Sequence, residues 1–113
     1  MRLFRSIDNL ERRRAPRSAA DAVVCCAIRD PRTAHLCLAA IRDISSTGIA
    51  LLADQPFEVG ELLTIELQHA KREVVRKYLI EVRHADICYP NDAWLHGCRL
   101  IRPLRDDELR FWL

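Results

Sequence analysis

Apolar and polar side chains alternate along several short segments of this chain, and a period of two residues is typical of half-buried β-strands. The clearest segment covers residues 61–68, in which Leu63, Ile65 and Leu67 alternate with polar side chains. Clusters of Asp, Pro, Gly and Ser separate these segments at similar intervals and are typical of turns. The chain is therefore predicted to form an antiparallel sheet with one face directed into a core.

The pattern changes to helical spacing only after Pro103. Three acidic residues at 106–108 would complement the dipole of a helix that begins there, and Leu109, Trp112 and Leu113 supply an apolar stripe. The predicted strands are residues 19–29, 34–44, 48–53, 61–68, 74–84 and 94–101. We therefore predict an all-β fold, a small six-stranded antiparallel β-barrel that is closed on itself and carries a short C-terminal α-helix.

The length and composition suit one domain. The chain has 113 residues, half of them hydrophobic, which is enough to bury a core. No apolar run approaches the ~20 residues of a membrane span, and the N-terminus lacks the apolar core of a signal peptide. We expect a cytoplasmic protein without membrane insertion. Residues 1–10, with Leu3, Phe4 and Ile7 at helical spacing, form an N-terminal extension, and residues 11–113 form the single domain.

The cysteines are odd in number, and no two of them have C-x-x-C spacing; they are Cys25, Cys26, Cys37, Cys88 and Cys98. Most lie in apolar segments, where a free thiol behaves as a small hydrophobic side chain. Their spacing relative to the histidines gives no support to a metal site. The expectation is free thiols, with no metal and no cofactor.

Four arginines within six residues form a basic arm near the N-terminus, namely Arg12, Arg13, Arg14 and Arg17. Their planar guanidinium groups suit phosphate oxygens and guanine edges. Pro16 keeps the preceding residue out of the α region, so the arm is predicted to be extended and flexible.

The positive charge of the chain is concentrated in this arm. The whole chain has a net charge of +2, but residues 1–17 hold six arginines against Asp8 and Glu11, a net charge of +4. The remaining 96 residues carry 12 basic and 14 acidic side chains, a net charge of −2. Such a body does not suit a broad nucleic-acid surface, and the pattern favours a small anion held at one place.

A turn at Asp30-Pro31 is predicted to join the first two strands, because Asp suits the first turn position and Pro pre-sets the second. With the hairpin centred there, paired residue numbers add to about 63. Arg17 would then lie opposite Ser46, beside Asp43 and Ser45. The pairing would bring the basic arm to the turn that follows the second strand.

Arg13-x-x-x-Arg17, followed after one predicted hairpin by Asp43-x-Ser45-x-x-Gly48, resembles the paired signature of the PilZ domain family. That family consists of bacterial receptors for the second messenger cyclic di-GMP. The resemblance runs from Glu11 to the end of the chain, and includes the Val59-Gly60-Glu61 turn and the strand that ends Gly97-Cys98-Arg99-Leu100. Leu100 stands where the family usually has an aromatic residue, a departure that bears on packing.

The resemblance implies that the arginines bind cyclic di-GMP, which presents two phosphates and two guanines. Arg13 and Arg17 would grip guanine edges or phosphate oxygens, with Arg12 and Arg14 as auxiliaries. In the family, an arginine just before the R-x-x-x-R pair accompanies binding of two stacked, intercalated ligand molecules. The four arginines would match the four phosphate charges of such a pair.

The second motif offers complementary groups. Asp43 can accept hydrogen bonds from guanine N–H groups, and Ser45 can bond a base or a phosphate. Gly48 permits a positive φ angle or a close approach of backbone to ligand. The alternatives for the ligand-free protein are an Arg17–Asp43 ion pair, a turn-capping Ser45 and a simple turn glycine.

The predicted function is that of a cyclic di-GMP receptor or adaptor, which orders its arm on the ligand and signals to an unknown partner protein as a monomer or weak homodimer. Catalysis is not expected, because no catalytic motif stands out. One alternative is a PilZ-like interaction module that binds no nucleotide. Another is a nucleic-acid binder using the arm, which the acidic body and the lack of a nearby stacking aromatic disfavour. A second R-x-x-x-R, Arg72 to Arg76, is interpreted as a solvated strand edge.

Overall fold

The computed structural model describes residues 24–88 and 92–113 of the chain. In these ranges the chain forms six strands and one helix. The strands are β1 (Val24–Arg29), β2 (Leu36–Ile44), β3 (Gly48–Ala53), β4 (Leu62–His69), β5 (Val74–Cys88) and β6 (Ala93–Leu100), and the helix is α1 (Asp106–Trp112). The predicted basic arm, the extension at residues 1–10 and most of the predicted turn at residues 89–92 lie outside the described residues.

The strands close into an antiparallel barrel in the order β1-β2-β3-β6-β5-β4. Strands β1 and β4 complete the ring by pairing with each other, so that Val24 lies opposite His69 and Arg29 opposite Thr64. Each of the six described strands thus has a neighbour on both sides, and such closure is how small β domains avoid edge-to-edge aggregation. The predicted six-stranded barrel with a C-terminal helix is confirmed.

The barrel interior is filled by the alternating apolar residues of its strands. In β4, Leu63, Ile65 and Leu67 are at most 2% exposed, as the alternation predicts. Ile28 of β1 and Ile80 of β5 face the same core. Each fully buried aliphatic side chain contributes about 1.5–3 kcal/mol relative to an exposed one, so these inner rows dominate the stability of the barrel.

Helix α1 covers one end of the barrel. The indole of Trp112 is 1% exposed, and its N–H donates to the Tyr78 hydroxyl at 2.9 Å. Phe111 meets the Trp112 ring edge-on and lies beneath the guanidinium of Arg72, 4.8 Å from ring centroid to guanidinium carbon. At the start of the helix, the Glu108 carboxylate accepts the Arg105 backbone N–H at 3.1 Å. The helix is therefore held by packing and by directed bonds at both of its ends.

The β1–β2 hairpin has a different register from the predicted one. Cys26 lies opposite Ala39, so paired residue numbers add to 65 instead of about 63. The cause is a four-residue loop: the Asp30 and His35 backbones are bonded at 2.9 Å, and Ala34 adopts a φ of 60°. The Asp30 carboxylate accepts the Arg32 N–H at 2.9 Å, and this bond lowers the pKa of Asp30. The Asp-Pro turn signal identified the hairpin but not the length of its loop.

Strand β5 extends to Cys88, four residues beyond the predicted end at His84. The pairing with β6 shifts between Val82, opposite Cys98, and His84, opposite Gly97. A bulge at this shift reverses which residues face the core, because the extra residue breaks the period of two. The predicted strand stopped where the alternation stopped, and that end was wrong for this reason.

Candidate functional site at the β2–β3 turn

The turn between β2 and β3 is held from within by Ser45. Its hydroxyl oxygen accepts the N–H of Gly48 at 3.1 Å and the N–H of Thr47 at 3.3 Å, and it lies 3.4 Å from the Gly48 carbonyl. The Ser45 backbone N–H donates to the same carbonyl at 2.9 Å. Ser45 is 1% exposed. The structure therefore shows the turn-capping contact that the sequence allowed as an alternative, and a contact of Ser45 with ligand stays a prediction.

The same turn is held from outside by the last residue of β6 and by the segment that joins β6 to α1. The Leu100 N–H donates to the Thr47 carbonyl at 2.9 Å, and the Leu104 N–H donates to the Ser46 carbonyl at 2.7 Å. Hydrogen bonds of Ser45 on one side and of Leu100 and Leu104 on the other thus hold the turn. A turn constrained in this way presents neighbouring side chains in a fixed geometry, which lowers the ordering cost of binding a ligand.

Asp43 owes its placement to a bulge in β2. The β2–β3 pairing shifts between Ile41, opposite Leu51, and Asp43, opposite Ala50, so Arg42 is the extra residue. After the bulge Ile44 enters the core, and Asp43 lies on the opposite, outer face of the strand. Asp43 is nevertheless only 5% exposed, and its carboxylate lies 4.0 Å from the Arg42 guanidinium. A buried carboxylate on an outer face is typical of a polar site.

Asp43 begins a row of residues that crosses four strands on the outer face. It lies opposite Ala50 of β3, Ala50 lies opposite Gly97 of β6, and Gly97 lies opposite His84 of β5. At an inter-strand spacing of about 4.8 Å, the row spans about 14 Å. Its two central members are small, and both are buried. We call these four residues the outer-face row.

Arg99 lies next to the outer-face row, directly opposite Gly48 across the β3–β6 pairing. Its guanidinium donates to the Glu81 carboxylate from Nε at 3.1 Å and from Nη2 at 2.9 Å. The Arg83 guanidinium lies 3.8 Å from the same carboxylate. The sequence placed Arg99 in the last predicted strand but not at the site. Its register with Gly48 depends on strand order, which alternation alone does not supply.

Gly48 does not use the positive φ angle that the sequence allowed. It is the buried first residue of β3, whereas Gly60 is the glycine with positive φ (91°) in the described part of the chain. The Gly48 N–H donates to the Ser45 hydroxyl, and Gly48 pairs with Arg99 of β6.

The structure brings Asp43, Ser45 and Gly48 together at one turn, as the motif spacing predicts. The four site arginines, Arg12, Arg13, Arg14 and Arg17, lie outside the described residues. The second R-x-x-x-R is divided between two environments. Arg72 stacks on Phe111, whereas Arg76 is exposed at the barrel mouth and donates to the Val75 carbonyl at 3.1 Å.

The thiols and histidines offer no metal site in residues 24–88 and 92–113, where no three His, Cys, Asp or Glu side chains are grouped as ligands. Burial raises the pKa of Cys26 to about 12, so this thiol stays protonated in the core. His96 is also buried, and its Nε2 accepts the Phe57 N–H at 3.0 Å. The helix of the described chain, with seven residues, is too short to span a bilayer.

Comparison with known proteins agrees with this geometry. The family model of the PilZ domain matches residues 11–110. The chain belongs to the PilZ domain family. Its barrel therefore has the family fold, and the family match includes both the arginine motif and the motif of the β2–β3 turn.

Two solved structures show the same PilZ fold. The PilZ domain with c-di-GMP of YcgR from Escherichia coli has 16% identity and a TM-score of 0.66, covering 89% of this chain and 86% of that one. The inhibitor of motility MotI/DgrA from Bacillus subtilis has 21% identity and a TM-score of 0.61, covering 87% of this chain. The match covers 48% of the Bacillus chain, about half its length. No curated protein sequence matches the chain significantly.

Proposed function

We propose that this PilZ domain is a receptor for cyclic di-GMP that binds the dinucleotide on the outer face of the barrel beside the β2–β3 turn. The observation that carries the proposal is the position of Asp43, a buried carboxylate on the outer face next to the small, buried residues Ala50 and Gly97. Small side chains beside a carboxylate acceptor would leave room for a planar base with N–H donors. The family match and the YcgR structure with c-di-GMP support this ligand.

Asp43 would select guanine. The Watson–Crick edge of guanine presents two adjacent N–H donors, which a carboxylate can accept together, and charge assistance makes such bonds strong. Adenine presents an acceptor at the corresponding ring nitrogen, which a carboxylate repels. Ser45 and Gly48 would act mainly by holding the turn beside Asp43, since the Ser45 hydroxyl caps it.

The basic arm would supply the cations. In this proposal Arg13 and Arg17 contact phosphates or guanine edges, and Arg12 and Arg14 add charge. Within the described residues, Arg99 and Arg83 already share Glu81, so the sheet beside the outer-face row has little unmatched positive charge of its own. The anionic ligand therefore depends on the arm, and binding would order the arm over the outer-face row. That ordering is the signal offered to a partner protein.

Three titrations of the full chain test this function. We expect cyclic di-GMP to bind, cyclic di-AMP to bind at least tenfold more weakly, and a random oligonucleotide to bind only at low salt. Asp43→Asn should erase most of the preference for cyclic di-GMP over cyclic di-AMP, because one carboxylate oxygen becomes a donor. Asp54→Asn, at an exposed acid on the loop after β3, is the matched control. Equal affinity for both dinucleotides in the unmodified protein would contradict the role of Asp43.

A further inference from the structure

A cleft of about 420 Å³ lies between β5 and the segment that joins β6 to α1. We propose that this cleft is a docking site for an acidic, partly apolar segment of a partner protein. The residues that matter to the argument are Arg76, Lys77, Leu79, Ile101, Arg102 and Pro103. The volume is within the range of protein ligand clefts, about 300–1,000 Å³.

The cleft carries positive charge that its neighbours do not neutralise. Arg76, Lys77 and Arg102 are exposed, and none of them forms an ion pair with another described residue. Two acids beside these cations, Glu66 and the lining residue Glu108, are already engaged. Glu66, the cross-strand neighbour of Lys77, binds the Arg29 guanidinium at 3.1 Å, and Glu108 lies 3.4 Å from the Arg105 guanidinium. Three unmatched cations around one concavity favour an anionic occupant.

The wall of the cleft is apolar, which argues for a peptide with an apolar side chain. Leu79 is 46% exposed and Ile101 is 37% exposed, and Pro103 lies beside them in the lining. Exposed aliphatic side chains inside a concavity rimmed by charge are typical of protein interaction sites. A simple anion would use the cations and leave this apolar wall in water.

A nucleic acid fits the cleft less well than a peptide does. Single-stranded binders stack bases on exposed aromatic rings, and Tyr78 is the aromatic residue of the described lining. Its hydroxyl accepts the Trp112 indole N–H, and its ring meets that indole edge-on at 84°. The Tyr78 ring is therefore committed to holding α1 and is not a free stacking platform.

Backbone hydrogen bonds hold the cleft in shape and connect one of its walls to the candidate nucleotide site. The Ile101 N–H donates to the Leu79 carbonyl at 3.0 Å, which fixes the two apolar walls relative to each other. The same segment continues to Leu104, whose N–H is bonded to the Ser46 carbonyl of the β2–β3 turn. Docking at the cleft stands on its own geometry; only its use as the readout of the dinucleotide rests on the proposed function.

The test uses the full chain without dinucleotide, so its outcome is independent of the proposed function. The probe is a fluorescein-labelled hexapeptide of alternating glutamate and leucine, followed by anisotropy. We expect saturable binding that weakens at least tenfold in Lys77→Glu/Arg102→Glu. The matched control is Lys71→Glu/Arg110→Glu, which makes the same charge change at two exposed positions outside the cleft lining and should bind within about twofold of the unmodified protein. All four side chains are exposed, and circular dichroism checks that both variants are folded.

Two further measurements separate the alternatives. A hexapeptide of alternating glutamate and serine should bind at least tenfold more weakly than the leucine peptide, since it lacks the apolar contacts. In amide spectra, the leucine peptide should shift Leu79, Ile101 and Arg102. Equal losses in the two double variants, equal affinity for the two peptides, or shifts that map elsewhere would overturn the proposal. An oligonucleotide that displaces the peptide and is itself lost in Lys77→Glu/Arg102→Glu would overturn it in favour of a nucleic-acid cleft.

Discussion

The Leu104 backbone N–H donates a 2.7 Å hydrogen bond to the Ser46 carbonyl, which attaches the segment before α1 to the β2–β3 turn. On the inner side of that turn, the Ser45 hydroxyl accepts two backbone N–H groups. One short loop thus connects the candidate ligand face with the C-terminal end of the fold. A ligand that displaces the β2–β3 turn would therefore also displace the segment before α1.

Ser45→Ala should destabilise the protein by about 1–3 kcal/mol, because it leaves two turn N–H groups without their acceptor in a buried place. Ser46→Ala is the matched control, since the Ser46 group that accepts the Leu104 N–H is the backbone carbonyl, which the substitution keeps. The control should change stability by less than about 0.5 kcal/mol. Urea denaturation measures both values. Equal effects of the two substitutions would show that the Ser45 hydroxyl does not hold the turn.

His96 should make the protein less stable in mild acid. Burial lowers the pKa of His96 in the folded state, and its Nε2 accepts the Phe57 N–H, a contact that requires the neutral ring. Below the unfolded pKa of about 6.5, the unfolded chain binds the proton first, so stability falls as the pH falls from there toward the folded pKa. Urea midpoints at several pH values should show this fall. The fall in stability should be smaller in His96→Gln. It should persist in His35→Gln, a control at an exposed histidine. A full fall in His96→Gln would show that His96 is not the group responsible.

The residue pattern predicted part of the fold and part of the candidate site. The alternation at Leu63, Ile65 and Leu67 predicted β4 and its buried face, because one side of a barrel wall must be apolar. The bulges at Arg42 and near Arg83 were not predicted, since an inserted residue removes the periodicity that identifies a strand. The resemblance to the family motif also predicted Asp43, Ser45 and Gly48 as neighbours in one site. The sequence allowed a turn-capping Ser45 as an alternative for the ligand-free protein. It did not predict that Arg99 would lie opposite Gly48, because that register depends on strands distant in the chain.

The basic arm should become protected when ligand binds. If cyclic di-GMP orders the arm over the outer face, amide hydrogen exchange at residues 12–18 will slow markedly on adding ligand. Exchange in the β4 core at Ile65, which is fully buried in the barrel, should change little and serves as the internal control. Arm amides that are already protected in the ligand-free protein would contradict the ordering step.

The stoichiometry should be two ligands per chain. Two stacked cyclic di-GMP molecules bring four phosphate charges, which the four arm arginines match. Arg12→Leu removes the arginine before the R-x-x-x-R pair, and the ratio should fall toward one. Calorimetry with a known active fraction measures both ratios. A ratio near one for the unmodified protein would mean that Arg12 is a solvated neighbour of the site.

The most direct test of the account compares the two R-x-x-x-R motifs by calorimetric titration with cyclic di-GMP. Arg17→Ala removes a bidentate contact at the proposed site and should cost about 1–3 kcal/mol, roughly ten- to a hundredfold in affinity. Arg76→Ala removes the same side chain from the second motif, where the arginine is exposed at the barrel mouth, and should leave the affinity unchanged within about twofold. A sharp loss for Arg17→Ala alone is the predicted result. Equal losses for both variants, or no binding by the unmodified protein, would contradict the central claim.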